Sequence, residues 1–418
     1  MDSAPLKQRA LEEIDRTADE LVDLCARIVR VPAENPPGDT SQVADFILDL
    51  LDGYGVRGRR YEPRPGMVSV VFQIGNPQEK PHLVFNAHLD EFPAEHPDSW
   101  AFPPYGGQVA DGQIRGRGAA DMRGGLTASL YAFLLLHRFG LPARGCCTLM
   151  LVADEECGGY WGAGWLVRTF PELLGDALII GEPDSPESLR IGQKGKSQLR
   201  LVARGEPYGA ALATLNDANT RLGSALPLLR DLLEVRGPWP EEVQEVLAEA
   251  RDYAWTDRGA GMQWLLERTA VNVGVIRGGI KINIVPSECV AEVDVRIPYG
   301  VKPADIKARV ERVLAEAGLA DITVEHIEPT FQATYTSPKH PFVQTVRRNI
   351  REVTGRDPRL TVGFGSNDAR YFMPHGVPAV IYGPRPYNIA AANEYITIED
   401  LITATKVHAG AAFDFLCG

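Results

Sequence analysis

The sequence predicts an α/β protein with a smaller α+β unit inserted into it, and three observations lead to this expectation. First, short apolar runs at residues 82–87, 148–153 and 177–180 have the composition of buried strands in a parallel sheet. Second, stretches with helical spacing of apolar residues flank and separate these runs. They cover residues 6–31, 42–51, 126–136, 342–353 and 398–416. Third, the pattern changes near residue 196.

The middle of the chain predicts the inserted unit. Four segments with strand character are interleaved there with helical segments. The strands are expected at 198–203, 269–276, 289–297 and 322–327, and the helices at 213–235, 240–255 and 303–317. This order is typical of a compact ferredoxin-like α+β layer. We therefore expect residues 1–195 and 331–418 to form one domain, and residues 196–330 to form an inserted lid.

The composition excludes several classes of partner. The 418 residues carry a formal net charge of −12 without any block of Lys and Arg, so neither a nucleic acid nor an anionic membrane is expected as a partner. No run approaches the ~20 apolar residues of a membrane span, and the N-terminus lacks the apolar core of a secretion signal. The six cysteines show no Cys-x-x-Cys spacing. We expect a cytoplasmic protein with reduced thiols.

Possible metal ligands follow each of the three buried runs. Because parallel strands end at the same edge of a sheet, the side chains that follow them are expected to meet there. They are His88 and Asp90 after the first run, Glu155 and Glu156 after the second, and Glu182 after the third, with Asp121 at the start of an intervening helix. Imidazole and carboxylate groups together suit a divalent transition metal.

Elementary chemistry suggests a role for Asp90, for the three consecutive carboxylates and for Asp121. Asp90 can accept one ring N–H of His88 and so fix the tautomer that leaves the other nitrogen free for a metal. The consecutive carboxylates Asp154, Glu155 and Glu156 repel one another unless a cation or hydrogen bonds hold them. For Asp121 taken alone, an N-cap of the following helix is an equally simple explanation.

Seven short motifs occur together in the order of a known enzyme family. They are His88-Leu89-Asp90, the glycine-rich segment from Gly116 to Gly125, Asp154-Glu155-Glu156, Gly181-Glu182-Pro183, Asn283-Ile284-Val285-Pro286, Asp294-Val295-Arg296 and Asn367-Asp368-Ala369-Arg370. As a set they resemble the metallopeptidase family that contains glutamate carboxypeptidase, acetylornithine deacetylase, succinyl-diaminopimelate desuccinylase and the aminoacylases. The resemblance implies a parallel-sheet, zinc-peptidase-like catalytic domain and a lid through which a homodimer or higher homo-oligomer forms.

The resemblance also implies a role for each member of the cluster. His88 and Glu182 would be terminal ligands of one Zn, Mn or Co ion, and Asp121 would bridge to a second ion bound by Glu156. Glu155 would be the general base that takes a proton from metal-activated water. The physics agrees, because a divalent cation brings the pKa of bound water from 15.7 towards about 7.

A small-molecule substrate that carries a carboxylate is implied in the same way. Arg296, Asn283 and Arg370 match positions that hold a substrate carboxylate or a polarised oxygen, and a guanidinium fork suits that work. An ion pair with Asp368 is the alternative explanation for Arg370. Tyr208 is a further candidate for a substrate contact.

Two histidines of the family are absent from this chain. Relatives carry one at the start of the lid, where this chain reads Glu206 to Ala210, and no histidine lies in the lid before His326. Relatives carry another four residues before the glutamate of Asn393-Glu394-Tyr395, where this chain has Ala390. His96 is a weak candidate to replace it. Because two carboxylates alone hold a second ion poorly, we expect one well-bound ion per subunit.

These features predict a metal-dependent hydrolase that cleaves a carbon–nitrogen bond. The main expectation is the amide of an N-acyl amino acid or a dipeptide-like substrate. By the resemblance, the lid histidine that this chain lacks stabilises an oxyanion in relatives. One such group contributes ~3 to 4 kcal/mol in amide hydrolysis. Its absence keeps open an aminohydrolase that displaces the amine of an aminobenzoate such as nitroanthranilate. A catalytically inactive relative that serves as a binding or assembly subunit is the other alternative.

Overall fold

The structure is a computed structural model that describes residues 4–250 and 262–417. The helices are α1 Ala4–Arg16, α2 Ala18–Val29, α3 Ser41–Gly53, α4 Gly124–Arg138, α5 Ala163–Thr169, α6 Ala218–Ala225, α7 Glu241–Glu249, α8 Pro303–Glu316, α9 Pro341–Thr354 and α10 Ile398–Cys417. The strands are β1 Gly58–Arg64, β2 Met67–Gly75, β3 His82–His88, β4 Gln108–Ala110, β5 Gln113–Arg115, β6 Cys146–Val152, β7 Ala177–Ile180, β8 Ser188–Gln193, β9 Gly195–Arg204, β10 Ala270–Gly278, β11 Glu288–Ile297, β12 Thr323–Phe331, β13 Thr334–Tyr335, β14 Arg359–Gly363, β15 Ala379–Ile381 and β16 Tyr395–Thr397.

A mixed sheet forms the centre of the larger domain. Its strands lie in the order β1-β2-β6-β3-β7-β15-β8-β13, and β14 pairs with β8. The three strands at the middle are parallel, since β3 pairs in this way with both β6 and β7. Antiparallel strands occupy the margins, where β2 pairs with β6 and β1 with β2. The predicted α/β class is therefore confirmed.

The central strands are buried on both faces, which explains their unbroken apolar sequences. Every residue of β3, β6 and β7 is buried, as expected for parallel strands covered by helices. Helix α4 is buried from Gly124 to Leu136 and packs against α10. This rigid core fixes the direction of the strand ends that carry the candidate metal ligands.

The inserted lid contains a second sheet. Strands β10, β11, β9 and β12 lie in that order, and every neighbouring pair is antiparallel. Helices α6 and α8 pack on the sheet around a separate apolar cluster that includes Leu222, Val293 and Val310. The chain order of strand, helix, two strands, helix and strand is that of a ferredoxin-like layer. The expected inserted layer is therefore present, and its sheet runs from Gly195 to Phe331.

One segment inside the expected lid packs elsewhere. Helix α7 contacts β14 of the larger domain, because Val243 and Leu247 are buried in a small cluster with Ala333 and Val362. The expected boundaries of 196 and 330 thus enclose a segment that belongs by packing to the larger domain. Residues 251–255 of the helix expected at 240–255 lie outside the described residues.

Other differences from the expected elements have local causes. The single helix expected over residues 6–31 is broken at Thr17 into α1 and α2, where the Thr17 hydroxyl donates to the Glu13 carbonyl at 2.7 Å and accepts from Tyr131 at 2.6 Å. The helix expected at 213–235 begins at Ala218, since Asp217 caps it, and continues after Ala225 as a 3₁₀ helix.

Within residues 4–250 and 262–417, no helix combines the length and the apolar character that crossing a membrane requires.

Candidate metal centre

The carboxyl ends of the three central strands deliver the candidate ligands to one place. His88 is the last residue of β3, Glu155 and Glu156 lie in a 3₁₀ turn just after β6, and Glu182 lies two residues beyond β7. Asp121 lies in the irregular segment Ala119–Arg123 that precedes α4. Among the residues that the structure describes, one group of three or more could hold a metal ion with ligand atoms within 4.8 Å of one another: His88, Asp121 and Glu182.

The orientation of the His88 ring favours metal binding. Its Nε2 lies 3.1 Å from Asp121 Oδ1 and 3.7 Å from Glu182 Oε1. Its Nδ1 lies 2.8 Å from the backbone carbonyl oxygen of Asp90. Since that carbonyl can only accept, Nδ1 carries a proton, and Nε2 is the nitrogen that faces the two carboxylates and could bind a metal in place of a proton.

Asp90 orients the site, although not in the expected way. The sequence predicted that its carboxylate accepts the His88 proton, but that carboxylate lies 3.7 Å from Nδ1 and the backbone carbonyl is the acceptor. The fully buried carboxylate instead accepts the backbone N–H groups of Glu155 and Glu156, each at 3.1 Å, and the side-chain amide of Asn35 at 2.8 Å. It therefore fixes the turn that presents both glutamates.

The charges of the cluster create a need for a cation. Burial, together with the nearby carboxylate of Asp121, raises the pKa of Glu156 and of Glu182 well above the usual range. Burial lowers the pKa of His88, but Asp121, Glu182 and Asp90 outweigh it and raise that pKa well above its usual value. The buried Oε1 of Glu156 has no hydrogen-bond partner among the described residues. A divalent cation fits this donor set, because it neutralises the crowded carboxylates.

Glu394 holds Asp121 in position, a role that the sequence analysis missed. Its buried carboxylate accepts the backbone N–H groups of Ala120 at 2.9 Å and Asp121 at 3.2 Å. It also forms a buried ion pair with Arg117 at 2.5 Å. The motif Asn393-Glu394-Tyr395 was the available signal, but its partners lie more than 270 residues away in the chain.

Two glycines bring the Asp121 segment against Glu182. A Cβ atom at Gly125 would lie 1.6 Å from the carbonyl oxygen of Gly181, so neither backbone leaves room for a side chain. The start of α4 therefore packs directly on the end of β7. This contact explains why the glycine-rich motif and the Gly181-Glu182-Pro183 motif occur together.

Glu155 is paired with Arg370. The Arg370 Nη2 atom lies 2.5 Å from Glu155 Oε1 and 3.5 Å from Asp368 Oδ1. Arg370 is buried, and the charges of Glu155 and Asp368 outweigh burial and raise its pKa. The ion pair with Asp368 offered as the alternative for Arg370 is thus present, but the shorter contact is the one to Glu155.

A cavity of about 330 Å³ opens beside the cluster. Asp121, Glu155, Glu156 and Glu182 line one side of it. The cationic residues that line it are Arg190, Lys196, Arg296 and Arg370. Lys196 was not singled out from the sequence, because only the pairing of β9 with β11 places it beside Arg296.

The structure does not bring Asn283 and Tyr208 to this cavity within one chain. Asn283 is exposed on the lid, and Tyr208 is 38% exposed. The segments are neighbours, since the Tyr208 carbonyl accepts the N–H of Val285 at 2.8 Å and the Asn283 carbonyl accepts that of Ala210 at 3.2 Å.

Neither candidate position for a further ligand beside Glu156 supplies one. Ala390, where the family resemblance led us to look for a histidine, has no ligand atom in its side chain, and its neighbour Ile389 lines the cavity. His96 is exposed and is not part of the group of possible ligands.

Two bacterial enzymes are similar to this chain over most of its length. A succinyl-diaminopimelate desuccinylase of Rhodospirillum centenum is 25% identical over 405 residues, which are 94% of this chain and 96% of that protein. A protein of the same name from Paracoccus denitrificans is 28% identical over 370 residues, 86% of this chain and 89% of that protein.

Solved structures show the same fold. An M20 family metallo-carboxypeptidase from Sulfolobus solfataricus superposes with a TM-score of 0.79 at 19% identity, over 96% of this chain and 100% of that chain. A di-peptidase from Saccharomyces cerevisiae gives a TM-score of 0.78 at 14% identity, over 100% of both chains. A Bacillus subtilis protein described as a dinuclear metal binding peptidase gives 0.64 at 13% identity, over 96% of this chain and 99% of that chain.

The family resemblance drawn from the motifs is confirmed. The sequence pattern of peptidase family M20/M25/M40 matches residues 84–414, well over half of the chain. The chain therefore belongs to peptidase family M20/M25/M40 and is a hydrolase that acts on carbon–nitrogen bonds.

Proposed function

We propose that this protein is a metal-dependent amidohydrolase that cleaves the amide bond of an N-acyl amino acid or a dipeptide-like substrate with a carboxylate. The observation that carries this proposal is the convergence of His88, Asp121 and Glu182, with Glu155 lining the same cavity. A Zn, Mn or Co ion held by these three ligands would supply Lewis acidity, which makes water more acidic and an amide carbonyl more electrophilic.

Glu155 is the general base in this proposal. Its carboxylate takes a proton from the attacking water and passes it to the departing amine nitrogen. Arg370, at 2.5 Å, balances the negative charge of Glu155 and fixes the position of Oε1. Asp90 holds the backbone of the same turn, so the base is oriented from two sides before a substrate binds.

One ion per subunit is the proposed stoichiometry. His88, Asp121 and Glu182 provide one nitrogen and two carboxylate ligands for the first ion. A second ion would have Glu156 and a shared Asp121, and Ala390 supplies nothing to complete its coordination. Two carboxylates leave most of a coordination sphere to water, so a second ion is held weakly.

We propose that the active form is a homodimer joined through the lid. Large apolar side chains are exposed there to an extent unusual for a monomer: Leu212, Leu215, Ile276, Ile280 and Ile282. The exposed Asn283 lies directly after Ile282. In a dimer, Asn283 and Tyr208 of one lid would reach the substrate bound to the other subunit.

No observation favours the two alternative functions. The named relatives are desuccinylases and the structural neighbours cited above are peptidases, which supports amide cleavage over displacement of an aryl amine. A purely binding relative has no use for a glutamate base, yet Glu155 is present and is held by both Arg370 and Asp90.

The test measures amine release from a panel of N-acyl amino acids and dipeptides, with aminobenzoates for comparison, in the presence of Mn, Zn or Co. We expect the wild type to hydrolyse members of the amide panel. Glu155→Gln should lose at least 100-fold in kcat, a typical general-base contribution, with its metal content unchanged, whereas the exposed Glu399→Gln should match the wild type. Unchanged activity in Glu155→Gln would remove Glu155 from this role, and release of amine from aminobenzoates alone would establish the aryl-amine alternative.

A further inference from the structure

Four cationic residues line the cavity, and one of them has no direct partner. Three of its four cations are already engaged. Arg370 pairs with Glu155 at 2.5 Å, and the Arg296 Nε atom donates to Asp294 at 2.7 Å. Arg190 donates to the backbone carbonyl of Pro183 at 2.6 Å. The fourth cation is Lys196.

Lys196 is buried without a direct ion pair. It is 7% exposed, and among residues 4–250 and 262–417 its ammonium group has no hydrogen bond and no carboxylate within ion-pair distance, although the carboxylates of Asp294 and Glu155 lie close enough to favour its charged form. Its neighbour is the ring of Phe331, with Nζ 5.1 Å from the ring centroid. Removing a lysine ammonium from water without a counter-ion destabilises a folded protein. An anion from outside the chain would give Lys196 the direct counter-ion that Asp294 and Glu155, which act on it only at longer range, do not provide.

The strand register adds a second, independent observation. Lys196 on β9 is directly paired with Arg296 on β11, and directly paired residues of antiparallel strands project from the same face. Both side chains line the cavity. Like charges at directly opposite positions destabilise a sheet, and an anion that binds between them attracts both and so offsets their repulsion.

The electrostatics of Lys196 agree with this geometry. Burial, followed by the positive charges of Arg370 and Arg296, lowers its pKa to about 8, and the carboxylates of Asp294 and Glu155 oppose this shift. An anionic ligand would relieve the burial cost and the repulsion together.

We propose that Lys196 is a second cation beside Arg296, the position that the family resemblance already assigns to a substrate carboxylate, and that Lys196 selects carboxylate substrates over their neutral amides. This inference rests on the proposed amidohydrolase function. Arg296 has part of its guanidinium engaged with Asp294, while the ammonium group of Lys196 has no direct ion pair. The substrate class is accordingly an N-acyl amino acid or dipeptide with a free carboxylate on the amine side of the scissile bond.

The experiment compares N-acetyl-L-methionine with N-acetyl-L-methioninamide on the metal-loaded full-length protein. Lys196→Met should raise KM for the acid at least tenfold and lower the acid-to-amide ratio of kcat/KM at least tenfold. Lys196→Arg should restore that ratio to within a few-fold. Lys339→Met, an exposed lysine outside the cavity, serves as the matched control, and the thermal midpoint and metal content of each variant report on folding.

Calorimetric binding of the same two compounds separates this inference from the proposed function. If the wild type binds the acid in a Lys196-dependent manner but releases no amine, the hydrolase proposal fails and the subsite stands. If the wild type hydrolyses the acid and Lys196→Met keeps the wild-type ratio, the subsite is wrong and the hydrolase proposal stands. Absence of acid binding and turnover in the wild type overturns the subsite as well.

Discussion

At the residue scale, buried hydrogen-bond partners determine what each carboxylate of the site can do. Asp90 has its carboxylate occupied by the backbone of Glu155 and Glu156 and by the amide of Asn35. It is therefore a positioning residue for the glutamate turn. The His88 tautomer is fixed by the backbone carbonyl of Asp90 instead, so a substitution at Asp90 should disturb Glu155 more than His88.

The lowered pKa of Lys196 predicts an alkaline limit to substrate binding. Its pKa of about 8 means that Lys196 is charged below pH 8 and neutral above it. Binding of a carboxylate substrate should therefore be strong below pH 8 and weaken above it. For this one group kcat/KM should fall by up to tenfold per pH unit above 8, and a pH profile measures this directly.

Lys196→Arg supplies the control for that profile. The guanidinium stays charged throughout the accessible range, so the decline attributed to Lys196 should disappear in this variant. A decline of the same midpoint in wild type and Lys196→Arg would assign it to another group.

The residues that the sequence identified differ from those it missed in one physical respect. His88 and Glu182 each follow a short apolar run, so local sequence shows that they lie at a strand end. The role of Lys196 depends on the register between β9 and β11, and that of Glu394 on contacts more than 270 residues distant. Neither relation leaves a local pattern in the sequence.

At the scale of elements, Glu394, which lies just before β16, connects its own segment to the segment Ala119–Arg123. Glu394 joins them through two backbone N–H groups and the buried ion pair with Arg117. Removal of one member of a buried ion pair costs about 3 to 5 kcal/mol. We expect Glu394→Ala to lose stability of this order in denaturant unfolding and to bind Zn more weakly, because Asp121 is no longer held.

The exposed Glu399→Ala on α10 is the comparison for Glu394→Ala. It should unfold and bind Zn as the wild type does. Wild-type Zn affinity in Glu394→Ala would show that the Asp121 segment keeps its shape without this carboxylate.

Strands could be predicted from the sequence where all of their residues are buried. The apolar runs of β3, β6 and β7 have no polar interruption and were identified. Strand β1, with the sequence Gly-Arg-Arg-Tyr-Glu-Pro-Arg, is half exposed at the sheet margin, so its sequence lacks that signal. The break at Thr17 was missed, since the contact of Thr17 with Tyr131 joins residues far apart in the chain.

At the scale of the whole molecule, the exposed lid residues predict the assembly. Ile282 is 100% exposed in the single chain, so a charge there costs the monomer little stability but prevents burial in an interface. We expect the wild type to be a dimer by light scattering coupled to gel filtration, and Ile282→Asp to be a monomer with an unchanged thermal midpoint.

Val109→Asp is a matched control, since Val109 is also exposed but lies on β4, outside the lid. This variant should remain a dimer. A wild type that elutes as a monomer, or a dimer that persists in Ile282→Asp with the same mass, would contradict the proposed interface.

The order of elements along the chain made the two-part architecture predictable, including the ferredoxin-like lid. The attachment of α7 to the larger domain was not predictable, because Val243 and Leu247 have the same helical spacing whichever domain they face. The proposed pairing of lids between two copies likewise has no signal in the local sequence. We infer it only from the exposed apolar residues of the lid.

The most direct test of the central claim measures how much Zn or Mn the protein retains after dialysis. We predict about one tightly held ion per wild-type chain and almost none in His88→Ala, while His375→Ala, at an exposed histidine outside the cluster, should retain the wild-type amount. Full metal content in His88→Ala, or none in the loaded wild type, would contradict the assignment of His88, Asp121 and Glu182 as the metal centre.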